Sequence, residues 1–166
     1  MSGYLAIYLR DQLALGVTWR ELARRARDHN RGTDLGRTLA EVADAIAEDV
    51  RTFEDIMRRL EVRANPAKVA AAVVAERLGR LKLNGKLTGF SPLSRFFELE
   101  VLVMGIDGKK TLWHTLGEIA GLQERFPDID FPALIARADA QRNALEPFRR
   151  STGKEAFASG DVRTGE

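Results

Sequence analysis

Eight positions between residues 35 and 60 constrain this chain most. Leu35, Leu39, Val42, Ile46, Asp49, Phe53, Ile56 and Leu60 follow one another at three- and four-residue steps. That period places all eight on one side of an α-helix, and no strand can align them. Seven are apolar and one, Asp49, is an acid in a core position. A carboxylate there costs several kcal/mol unless it finds a partner. The segment reads as a helix over about 33–61. An earlier one over about 4–29 carries Leu5, Tyr8, Gln12, Leu15, Trp19, Leu22 and Ala26 as its stripe. Between them, "HNRGTD" supplies a stop and a restart: Gly32 suits a left-handed position after the first helix, and Thr33 or Asp34 suits an N-cap. Two helices of this length joined by a short turn form an antiparallel hairpin about 40 Å long.

The rest of the chain keeps the helical period. Asn65 and Pro66 open a helix over about 66–83, with Ala70, Val74, Leu78 and Leu81 on one face. Ser91 and Pro92 open the next, "SPLSRFFELEVLVMGIDGKK", apolar on nearly every side from Phe96 to Ile106 and so expected at the centre of a bundle. "GIDGKK" is expected to interrupt it before an amphipathic piece over about 109–123. Asp130 caps a last helix, which Pro147 is expected to kink or end. The expected fold is therefore all-α: an antiparallel bundle of five to six helices in one domain over residues 1–150. Residues 151–166 would form a partly frayed C-terminal extension.

Several chemistries lack their residues. The chain has no cysteine, so disulfides, thiolate metal sites and cysteine nucleophiles are excluded. Its formal net charge is only +2, with the two signs interleaved, which argues against a nucleic-acid partner. Arginine clusters at Arg24, Arg25, Arg27 and Arg31, and at Arg58, Arg59 and Arg63, lie near helix C-termini, where cations favour the dipole. No apolar run approaches a membrane span, and no leader is evident, so a cytoplasmic protein without a membrane partner is expected. "GIDGKKT" is not a phosphate-binding loop: Val103 stands where the first glycine belongs, and Lys110 where Ser or Thr belongs. No G-x-S-x-G occurs. His29 is expected at an exposed helix end and His114 partly buried.

Di-metal bundles draw on Glu-x-x-His pairs, which put both ligands on one helix face. No such pair occurs in the sequence. Ligation by Glu41, Asp44 and Glu48 alone is the remaining metal arrangement, set against an exposed acidic face on the same helix. No cofactor is expected. Without histidine co-ligands, Glu98 and Glu100 are expected to be held by basic partners: Arg80 and Lys82 first, then Arg51, Arg137 or Arg142. With Asp49 they would form a buried charge network.

Three stretches, "GRLKLNGKL", "SPLSRFFELEVLVMGIDGKKTLW" and "RADAQRNALEPFR", together with the long hairpin, resemble actinobacterial proteins of the ferritin-like fold. The likeness covers roughly residues 4–150 and implies a fold. Some ferritin-like proteins bind iron or manganese, but the histidines of their motif are missing here, so no ligand carries over. The expected function is a non-enzymatic bundle acting by self-association, as a homodimer, or through a protein partner. Its apolar helix faces and the exposed-looking aromatics Trp19 and Phe131 motivate that expectation. The alternative is a carboxylate-ligated iron or manganese protein or oxidoreductase.

Overall fold

The computed structural model describes residues 3–65, 67, 71 and 91–158. The helix expected over 66–83 lies mostly outside the described residues, and with it Arg80 and Lys82. Every regular element among the described residues is helical. They fall into two compact units, Met1–Leu87 and Thr88–Glu166.

In the first unit α1 (Gly3–His29) and α2 (Asp34–Arg59) pack against each other as a hairpin. The α2 seam lies as its spacing dictates, with all eight positions buried. Its start is capped by Thr33, whose Oγ1 accepts from the Gly36 amide at 3.0 Å. The turn itself hangs on Asn30, only 4% exposed, whose Nδ2 donates to the Ala26 carbonyl at 2.7 Å. The Asn30 carbonyl in turn accepts from the Thr33 hydroxyl at 2.7 Å and the Thr33 amide at 3.2 Å. Gly32 takes φ +79°.

At the other end of α2, the Val62 amide reaches back to the Met57 carbonyl and the Glu61 amide to that of Arg58. That is the Schellman pattern, with Glu61 at φ 57° in the left-handed place where glycine usually sits. Buried Val62 and Met57 supply its apolar contact.

The α1 stripe is rotated from the expected one. Leu9, Leu13, Ala14, Val17, Leu22, Ala23 and Ala26 are buried, whereas Leu15 is 48% exposed and Tyr8 and Trp19 are half-buried. Small residues on this face allow close approach to α2. An alanine added at Gly16, for example, would meet Val50 at an ordinary 3.6 Å.

The second unit is built on α3 (Pro92–His114) and α5 (Phe131–Ala158), its most extensively packed pair. A π-helical turn (Thr115–Ile119) and the short α4 (Leu122–Arg125) connect them. The chain reverses at Gly121, φ +66°. Ser91 caps α3 and Asp130 caps α5, its Oδ1 accepting from the Ala133 amide at 2.9 Å.

Two expected breaks do not occur. α3 runs straight through Gly105 and Gly108. Two glycines cost a helix roughly 1 kcal/mol each, and the residues around them are tied to α5 by Asp107, Lys109 and Lys110. Nor does Pro147 end α5, which continues to Ala158 with Thr152 and Gly153 buried. Residues 151–158 are part of that helix; the remainder of the expected extension lies outside the described residues.

The expectation for Phe131 is also corrected. It is 1% exposed, its ring edge-on to Trp113 at 6.3 Å and packed on Gly117, because the first residue of α5 is turned inward.

Candidate functional site

Phe96, Glu100, Asp107 and Lys110 on α3 meet Gly153, Arg149, Arg142 and Asp139 on α5. Steps of four, seven and three residues forward on α3 are thus four, seven and three back on α5. The two helices are antiparallel and in register, and the register does not slip across Pro147. Three of the four contacts are ionic: Glu100–Arg149 at 3.2 Å, Asp107–Arg142 at 3.6 Å and Lys110–Asp139 at 2.7 Å. Lys109 adds a hydrogen bond to the side-chain oxygen of buried Gln141.

Within this ladder Glu100 pairs with Arg149; Arg80 and Lys82, the bases expected first, lie outside the described residues. Arg149 also holds Glu146 through two hydrogen bonds of 2.9 Å and lies over the Phe96 ring at 6.0 Å. That guanidinium, hydrogen-bonded to Glu146, holds its carboxyl below the usual glutamate range against a smaller opposing effect of burial. The same bond raises Arg149 above its ordinary value.

Glu98 is buried at 9% exposure, on the opposite flank of α3 from Glu100. Asp49 is buried at 2% within the first unit. The expected network of Asp49, Glu98, Glu100, Arg80 and Lys82 rests partly on residues outside those described. Glu100 also takes part in the ladder to α5.

The remaining candidates stand on the surface. Glu41, Asp44 and Glu48 are exposed along α2. His29 is exposed. So is His114, contrary to expectation, at the last residue of α3, with Glu118 one turn away at 3.3 Å. The arginine clusters are tied to acids: Arg24 to Glu21, Arg27 and Arg31 to Asp28, and Arg58 and Arg59 to Asp55. Hydrogen bonding from Arg27 lowers the Asp28 carboxyl, and that from Arg58 lowers Asp55. Among the described residues no three His, Asp or Glu side chains converge as metal ligands. No helix among them is long and apolar enough to cross a membrane.

A cleft of about 320 Å³ beside the π turn has Trp113 and Phe131 in its floor, but both are 1% exposed, so its aromatic faces are sealed.

What the sequence reading missed is the outer side of α3. It was expected to be covered, yet Leu93 is 56% exposed, Phe97 44% and Met104 64%. Gly108 continues the same row with open space where a side chain would stand. The signal was present: these four positions share one helix face, bordered by Glu100 and Asp107, and a face covered on one side only needs no charges on the other to remain helical.

Compared with protein-family models, with curated proteins and with solved structures, the chain matches none.

Proposed function

We propose that this chain is a non-enzymatic, ferritin-like helical bundle that works by self-association or by holding a protein partner, and that the outer face of α3 is its working surface. The observation that carries the reading is the row Leu93, Phe97 and Met104, each more than two-fifths exposed on one helix face. Three large apolar side chains in a row, flanked by charged groups already engaged with α5, have the make-up of an interface core. Glu41, Asp44 and Glu48 are exposed, and among the described residues no three acids or histidines converge, so no specific observation favours the carboxylate-metal alternative.

The test is the reactivity of Met104. Peroxide oxidation of this exposed thioether, followed by peptide mass spectrometry, should be fast in dilute purified protein. It should slow several-fold in concentrated protein or in an extract of the source cells, where the face is covered. Equal oxidation in all three conditions contradicts the reading.

A further inference from the structure

The row on α3 has a symmetry that selects its occupant. Leu93, Phe97, Met104 and Gly108 are separated by four, seven and four residues, a spacing that reads the same in both directions. At 100° per residue the four positions fall within about 60° of one another around the helix, along roughly 22 Å of its length. Resting on the proposal that this face is the working surface, we infer that its occupant is a second copy of this chain, with the two α3 helices antiparallel about a two-fold axis between residues 100 and 101.

A two-fold contact must be self-complementary: where residue i meets j, j meets i. This row satisfies that condition in spacing and in size. Phe97 meets Met104 of the second copy, an aromatic ring against a polarisable thioether. Leu93 meets Gly108 of the second copy, where nothing lies within 4 Å of the place a Cβ would take. The largest gap in each row thus faces a large side chain of the other.

The charges allow the same arrangement. The axis brings like edges together, and the edge beside the row carries Glu100 and Asp107. Each already has its own arginine, Arg149 at 3.2 Å and Arg142 at 3.6 Å, so no uncompensated acid faces its twin. The area sets the strength. The exposed parts of the three large side chains amount to roughly 300 Å² per copy, well short of the ~800 Å² per partner of a stable interface, which makes this a micromolar or weaker, reversible dimer.

The absence of cysteine makes the arrangement testable by single-cysteine variants. Leu93→Cys and Gly108→Cys alter exposed positions, and unchanged thermal melts confirm folding before use. A disulfide needs Cα atoms within about 7 Å, whereas like positions in the antiparallel dimer stand roughly 22 Å apart. Under mild oxidation, an equimolar mixture of the two variants should give at least five times the covalent dimer that either gives alone. Phe97→Lys introduced into both should abolish it.

Cross-linking of like with like would mean a parallel pair and overturn the proposal. No cross-linking, with Met104 protected only in cell extract, would also overturn it while leaving the α3 face as a surface for another protein. No cross-linking and no protection anywhere would overturn both.

Discussion

Helix propensity and the structure make opposite predictions for Gly36→Ala. Gly36 lies in the first turn of α2. Alanine there is favoured over glycine by about 1 kcal/mol on propensity alone. An added Cβ, however, would stand 2.8 Å from the Asn30 carbonyl carbon and still closer to its oxygen. Both atoms are backbone and cannot rotate away. The same oxygen accepts the Thr33 hydroxyl and amide, and the Gly36 amide donates to the Thr33 cap, so displacing the turn loosens three hydrogen bonds. At about 1 kcal/mol per bond, less the propensity gain, the net loss is ~2 kcal/mol. Gly16→Ala is the control, because its Cβ would make only the 3.6 Å contact with Val50. It should be neutral to stabilising by up to about 1 kcal/mol. Urea unfolding followed by circular dichroism measures both. If Gly36→Ala proves as stable as the parent, the tight Asn30–Gly36 approach is wrong, and the account of the hairpin turn fails with it.

Three further outcomes follow from the same geometry. Asp49→Ala should change unfolding free energy by more than ~1 kcal/mol, the scale for disturbing a buried polar group; an unmoved melting curve would place Asp49 at the surface. Glu61→Gly should stabilise by about 1 kcal/mol, since it relieves a left-handed residue while leaving the Schellman bonds in place, and a loss of stability would refute that. Glu146 is held below its ordinary value by Arg149, so its contribution is present above the ordinary 4.5 and is lost as pH falls through the lower folded value. Arg149→Met should therefore lower the melting temperature more at pH 7 than at pH 2.5, and an equal loss at both would show that the ion pairs contribute nothing.

The sequence was most legible where local and tertiary signals agreed. α2 has a cap, an acid in its first turn, arginines in its last and one unbroken seam, and its buried face was readable residue by residue. α1 was harder because its buried face is partly alanine. Ala14, Ala23 and Ala26 approach closely without looking like a core, while bulky Tyr8, Leu15 and Trp19 compete for the stripe.

Gly105, Gly108 and Pro147 misled as helix breakers, because their local cost is outweighed by the antiparallel register of α3 and α5, which only the folded chain displays. Arg149 escaped notice as the partner of Glu100 for the same reason. It lies forty-nine residues away and comes near only once α5 is known to continue past Pro147. The outer face of α3 was the costliest miss: its apolar composition announced burial, whereas Leu93, Phe97 and Met104 are exposed.

The most direct measurement is sedimentation velocity of the parent protein and of a Phe97→Lys, Met104→Lys double variant, from low micromolar to several hundred micromolar. The account predicts that the parent's weight-average mass rises from 18.5 kDa toward twice that value while the folded variant stays at 18.5 kDa. A parent that sediments at 18.5 kDa throughout, or a variant that associates as the parent does, would contradict self-association through α3.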